Sequence, residues 1–158
     1  MSKQLSAWIV LLGLFLFSAC DKNRVYEENI DIRNNNWQIE DVKEFSFAIK
    51  DTTQTYQIFF NVRNALGYEY YNLFLSQTLT GPDREKLYSR LHEMYLMDPK
   101  TGEPLGSGAG DIFDHTFLAV KAQRFPKVGT YKIRLRQYMR KNPLPGIMAV
   151  GIKVSVTE

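Results

Sequence analysis

The sequence predicts an all-β protein, an antiparallel β-sandwich of jelly-roll or immunoglobulin-like kind with about eight or nine strands. Three observations predict it. Apolar and polar residues alternate with a period of two as the dominant pattern after residue 19. Short clusters of Gly, Pro, Asn and Asp separate these runs at intervals that suit a sandwich. The 158 residues include 9 Tyr, 10 Phe and 2 Trp, side chains that fit a pleated, half-buried surface.

The first element is not part of that sandwich. Lys3 gives a short cationic start, residues 7–17 are apolar without a charge, and Ser18 and Ala19 are small. This is the pattern of a secretory signal peptide over residues 1–19. An apolar core of 11 residues is well short of the roughly 20 that span a bilayer as a helix, so the segment is expected to be cleaved. The string Phe17-Ser18-Ala19-Cys20 has the form of a bacterial lipobox, with Cys20 as the lipid-bearing first residue of the mature chain. The alternative is an ordinary cut that leaves Cys20 as a free thiol, a liability in an oxidising compartment. Several acyl chains give stable anchoring where one chain is marginal. Residues 20–36 then read as the lipidated N-terminus, a tether and a first strand, and residues 37–158 as the sandwich domain.

The strands follow in order. Phe45, Phe47 and Ile49 share one side of the run from Glu44 to Lys50, and Tyr56, Ile58, Phe60 and Val62 share one side of the next. Tyr71, Leu73, Leu75 and Leu79 make a third inward row, broken at Gln77. The stretch from Glu85 to Met97 reads as a strand with Tyr88, His92, Met94 and Leu96 alternating, although Leu87, Leu91 and Met94 also fit a helix. Tyr131, Ile133, Leu135 and Met139 face inward, opposed by Lys132, Arg134, Arg136 and Arg140. Met148, Val150, Ile152, Val154 and Val156 form the last strand.

Charge and cysteine content narrow the function. Removing residues 1–19 from 158 leaves 139 residues, one ordinary domain. The removed piece carries only Lys3, so 19 Lys plus Arg face 17 Asp plus Glu. That balance gives no footprint for nucleic acid, and a lone cysteine forms no internal disulfide. His92 and His115 show no metal-ligand spacing, and no Ser sits in a Gly-x-Ser-x-Gly turn, so neither metal nor nucleophilic catalysis is indicated. Both histidines read as surface or lightly buried residues. Asp111, Asp114 and His115 follow a glycine-rich stretch and read as a structural loop whose carboxylates cap backbone NH groups, with a Ca²⁺ site as the sharper alternative. No cofactor is implied.

The strongest local charge asymmetry is the row Lys132, Arg134, Arg136 and Arg140, with Lys121, Arg124, Lys127 and Lys141 nearby. Arg presents a planar fork suited to carboxylate and phosphate, whereas a merely solvated sheet face is the plain competitor. Pro143 and Pro145 stiffen the connection after this strand, which is expected to end near Arg140, and Gly146 turns it back. Arg134, Arg136, Tyr138, Arg140, Pro143 and Pro145 are therefore the candidate partner-binding residues, on a corner expected to face another protein.

Several strings, taken in order, resemble one family. They are Cys20-Asp21 with Val25-Tyr26-Glu27, Trp37 before an acidic step, Val62-Arg63-Asn64 with Tyr68 to Asn72, and Gly106 to Asp111. Most telling is Gln137-Tyr138-Met139-Arg140 running into Asn142-Pro143-Leu144-Pro145-Gly146-Ile147 and Val150-Gly151. Together they resemble the gliding-motility lipoprotein GldH family of the Bacteroidota. The resemblance implies an outer-membrane-associated lipoprotein of the gliding machinery tied to type IX secretion, without enzymatic activity. Only Cys20, as the lipid attachment point, carries over as a site residue.

The leading expectation is thus a structural or assembly lipoprotein, anchored in the cell envelope by its lipid, whose sandwich contacts other envelope proteins. A binding module is the alternative, in which exposed Tyr68, Tyr70 or Tyr138 beside Arg134 and Arg136 hold an anionic glycan. An enzyme comes third, and fold class alone does not rank the three. A glycan binder should show rings coplanar around a groove, and an assembly protein an apolar patch.

Overall fold

The computed structural model describes residues 22–157, so the signal segment and Cys20 lie outside the described residues. The chain runs β1 (Arg24–Asp31), a 3-10 turn (Arg33–Asn35), β2 (Asn36–Trp37), β3 (Lys43–Ile49), β4 (Tyr56–Ala65), β5 (Asn72–Thr80) and β6 (Lys86–Tyr95). It continues with β7 (Ser107–Ala109), β8 (Ile112–Gln123), β9 (Gly129–Gln137), β10 (Leu144–Pro145) and β11 (Ile147–Val156). One sheet has the order β1-β11-β4-β8-β7, the other β3-β9-β5-β6, and β10 pairs with β2 alone. Every pairing is antiparallel. Eight strands of seven residues or more carry the two faces, which is the all-β sandwich expected.

Alternation decides which side chains meet between the sheets. Phe45, Phe47 and Ile49 of β3, Tyr56, Ile58, Phe60 and Val62 of β4, and Val150, Ile152 and Val154 of β11 are all buried, in the predicted register. Aromatic rings join the layers at one end. Phe47 meets Tyr26 of β1 at 5.9 Å between centroids and Phe125 edge-on at 5.9 Å, and Phe125 meets Tyr56 edge-on at 5.3 Å. Edge-to-face contacts of this kind are favoured by the ring quadrupole. Midway along, Phe60 of β4 meets the His92 ring of β6 edge-on at 5.0 Å.

The ambiguous stretch after Glu85 is strand β6, not helix, with Met94 and Leu96 buried and Tyr88 and His92 half-buried. Two inward assignments and one expected break are corrected. Tyr71 is 48% exposed, because it precedes β5 in a bend where its carbonyl accepts the Leu96 and Met97 NH groups and its ring stacks on Tyr95 at 5.9 Å. Gln77 does not break the inward row. It is fully buried, and its Oε1 meets His92 Nε2 at 2.8 Å. Met148 is only half-buried, since an irregularity between Ile147 and Ala149 shifts the parity and sends Ile147 inward instead.

Two further departures matter for the site. Asp111 to His115, expected as a loop, are not all loop: Asp114 and His115 lie in the twelve-residue strand β8. Its alternation was obscured by a histidine at an inward position and by a bulge. Val120 pairs with Ile58 while Leu118 pairs with Phe59, so one residue is skipped and parity changes along the strand. The strand from Gly129 ends at Gln137, not near Arg140.

Candidate functional site

The outer face of the four-stranded sheet collects most of the candidate residues. Along β9, Lys132, Arg134 and Arg136 alternate outward while Tyr131, Ile133, Leu135 and Gln137 are buried. Register sets their neighbours: Glu44 of β3 and Thr78 of β5 flank Arg134, and Ser76 of β5 lies opposite Arg136. Lys132 Nζ reaches Glu44 Oε1 at 2.5 Å, and Arg134 Nε lies 3.8 Å from Glu44 Oε2. The basic row is therefore partly neutralised at its start. Farther along it is not, since among the described residues no carboxylate pairs with Arg136 or Arg140. The Arg136 guanidinium instead sits 5.9 Å from the Tyr138 ring centroid.

Beyond the end of β9 the backbone is tied to β5. The Tyr138 NH donates to the Phe74 carbonyl at 2.8 Å, and the Phe74 NH donates to the Met139 sulfur at 3.3 Å. Buried Gln137 accepts from the Met139 NH at 2.8 Å and donates to the Lys141 carbonyl at 3.3 Å. Lys141 Nζ is bound to Glu69 Oε2 at 2.7 Å, which raises the pKa of that lysine. These bonds hold open a cleft of about 510 Å³ lined by Tyr70, Phe74, Leu91, Tyr138, Met139 and Arg140. A smaller recess of about 170 Å³, lined by Val42, Ser76, Thr78, Arg134 and Arg136, lies on the same face. Leu91 and Tyr138 are 54% and 53% exposed, so the cleft is an apolar patch open to solvent.

Arg134, Arg136, Tyr138 and Arg140 are thus brought onto one face, but Pro143 and Pro145 are not. Pro145 pairs with Asn36 and buried Leu144 with buried Trp37, so this corner clasps β2. Asn142 Oδ1 accepts the Ile39 NH at 2.9 Å, and the Trp37 indole NH donates to the Asp41 carbonyl at 2.7 Å. Gly146 has φ +86° and packs against the Tyr68 backbone, where a Cβ would stand 3.1 Å from the Tyr68 Cα. Phe74 and Leu91 were not singled out from sequence. For Phe74 the available signal was an apolar residue on the same parity of β5 as the polar Ser76, Thr78 and Thr80.

Tyr68 was expected to be exposed and is buried, its hydroxyl donating to the Asn72 carbonyl at 2.8 Å. Burial pushes its phenol pKa well up. Tyr70 packs edge-on against it at 5.7 Å. His115 is likewise buried rather than superficial, and its Nε2 donates to Asn64 Oδ1 at 2.8 Å. Burial lowers the His115 pKa, against a smaller opposing pull from Asp114. Asp114 does not cap a turn: Arg63 Nε and Nη2 reach its two carboxylate oxygens at 2.8 and 3.1 Å, across the outer face of the other sheet. Among the described residues no group of three or more His, Cys, Asp or Glu side chains is placed to hold a metal ion.

Comparison with known proteins gives a family. The family model described as GldH lipoprotein matches residues 24–154. The gliding motility lipoprotein GldH homolog of Christiangramia forsetii is 33% identical over 165 residues, spanning 100% of this chain and 99% of the relative. The gliding motility lipoprotein GldH of Flavobacterium johnsoniae is 29% identical over 143 residues, spanning 90% of this chain and 87% of the relative. Among solved structures, the VP2 subviral particle of infectious bursal disease virus shares 10% identity at a TM-score of 0.40, over 84% of this chain and 30% of that one. That likeness is too slight to bear on function.

Proposed function

The chain belongs to the GldH lipoprotein family, and from that membership we propose that it is a lipid-anchored component of the gliding-motility machinery linked to type IX secretion. In this reading Cys20 carries the lipid, the outer membrane is the address, and the role is structural or assembling rather than catalytic. The observation that carries it is the polarity of the sandwich. The described chain enters β1 at Arg24, which pairs with Ser155, at the end where β9 also begins. Tyr138 and Arg140 follow the far end of β9, whose nine residues at about 3.3 Å each carry them some 27 Å away. One pole is suited to a lipid surface, the other to a protein.

The arrangement of rings favours assembly over glycan binding. A sugar platform needs open rings coplanar around a groove, yet Tyr68 is buried, Tyr70 packs edge-on against it, and Tyr138 is the one ring of the three that stands open. What stands open is the apolar cleft beside Arg136 and Arg140. The paired charge reversal Arg136→Glu with Arg140→Glu tests the reading. It is expected to keep the β-rich circular dichroism spectrum and the melting point while losing envelope proteins that co-purify with the parent. Partners retained at parental levels would make this corner ordinary solvated surface.

A further inference from the structure

The partner's chemistry is written into the same face. We infer that the cleft between β5, β6 and residues 138–140 receives an acidic segment of another protein, one that carries an aromatic or branched aliphatic side chain close to its carboxylate. This rests on the reading that the pole far from Arg24 faces a protein, and it adds what that protein must present.

The charge comes first. Arg136 and Arg140 are exposed, and among the described residues Arg136 makes no ion pair, its guanidinium lying 5.9 Å from the Tyr138 ring centroid. Arg140 itself lines the cleft, while Arg134 and Arg136 line the neighbouring recess with the hydroxyl-bearing Ser76 and Thr78. Guanidinium forks beside hydroxyl donors make a carboxylate site. On the opposite rim Glu93 stands across from Phe74 and is held by Asn72 Nδ2 at 2.6 Å. The Glu93 carboxylate makes this rim of the cleft the unfavourable side for another anion, so a bound carboxylate belongs on the β9 side beside the arginines.

The apolar floor supplies the second contact. Phe74, Leu91 and Tyr138 lie together because Ser76, two residues from Phe74, pairs with Leu91, and the Phe74 carbonyl takes the Tyr138 NH. An outward Phe and an outward Leu on neighbouring strands gain nothing from water, and a ligand side chain that covers them contributes about 25 cal/mol per Å² of apolar area. Arg136 and Phe74 occupy adjacent strands one outward position apart, a diagonal separation of about 7 to 8 Å. Side chains two residues apart in an extended peptide are about 6.7 Å from each other on the same face. An acid and an apolar residue separated by one position therefore fit the two contacts together. The floor is fixed by the hydrogen bonds of Gln137, Tyr138 and Met139, so little ordering cost attends binding.

A protein segment is favoured over anionic lipid because the cleft lies at the pole remote from Arg24, where the anchored chain begins. The test uses the full lipoprotein in its own membranes, with the photoreactive residue p-benzoylphenylalanine placed at Leu91 or at Tyr138. Both positions are exposed, and circular dichroism checks that each variant is folded. Irradiation and mass spectrometry of the adducts should return a protein segment with Asp or Glu within two residues of an aromatic or branched aliphatic residue. That segment, made as a synthetic peptide, should bind the purified Arg136→Glu sandwich about tenfold more weakly than the parent, with part of the loss regained by a peptide whose acid is replaced with Lys. Adducts with a neutral or basic protein segment overturn the acidic assignment while leaving a protein-facing pole intact. Adducts with phospholipid or lipopolysaccharide alone, or none at either position, overturn both.

Discussion

Replacing Phe60 with Ala, and separately Phe59, measures how one-sided the central strand β4 is. Phe60 is fully buried between β11 and β8, and its ring meets His92 of the opposite sheet edge-on at 5.0 Å. A buried Phe removes roughly 200 Å² from water, which at about 25 cal/mol per Å² is on the order of 5 kcal/mol before the area that Ala retains is subtracted. The lost ring contact adds about 1 kcal/mol, and partial collapse of the site offsets some of it. The net expectation is a loss of about 3 to 5 kcal/mol for Phe60→Ala. Phe59 is half-buried on the outer face, where Lys153 Nζ sits 4.6 Å from its ring centroid. Its truncation removes part of the ring burial and a cation–π contact of about 0.5 to 1 kcal/mol, so about 1 to 2 kcal/mol is expected. Urea unfolding followed by circular dichroism reads both, with the slope of the transition held constant. Equal losses would refute the assignment of one core face and one open face to β4.

The other predictions address the anchor, the histidines and the clasp. Cys20→Ser should move the protein from the detergent phase to the aqueous phase while leaving the sandwich folded; retention in detergent would place the anchor elsewhere. His115 and His92 both have pKa values held below 6.5 by burial. The unfolded chain then binds more protons than the folded one below pH 6.5, so stability is complete above that pH and declines as pH falls toward the folded values. Melting temperatures between about pH 7.5 and pH 5 should show this decline, and His115→Gln should make it shallower; an unchanged slope would remove His115 as a contributor. Once residues 1–19 are removed Trp37 is the only tryptophan, and it is fully buried. Its emission should be blue-shifted in the native protein, and Trp37→Phe should cost about 1 to 3 kcal/mol by leaving the Asp41 carbonyl without its indole donor.

The sandwich was legible wherever a strand kept strict alternation between two turns. β3 and β4 are read correctly residue by residue because nothing interrupts their parity, and the turn before β4 is fixed by Asp51, whose Oδ1 takes the Thr53 NH at 2.8 Å. β8 was not legible. Its inward row contains His115, made acceptable only by Asn64 from a strand 51 residues away, and its parity changes at a bulge. The basic half of the cleft was visible as a row of arginines on one parity. Its apolar half was not, because Phe74 joins Leu91 and Tyr138 through pairings of β5 with β6 and of residue 138 with β5. A single strand cannot announce a groove that three segments build.

The pairing of β1 with β11 has a consequence for the order in which the protein is made. Arg24 lies opposite Ser155 and Asp31 opposite Ala149, so the first strand to leave the ribosome has the last one as its partner in the sheet. An exported chain crosses its membrane N-terminus first, and during that passage β1 has no partner to pair with. Contacts this distant in sequence also form slowly, because the loop must close before the pairing rewards it. β1, an edge strand whose one neighbour in the sheet is β11, cannot pair there until the final residues arrive. The five-stranded sheet is therefore completed only when the last strand takes its place between β1 and β4, long after the first strand was made.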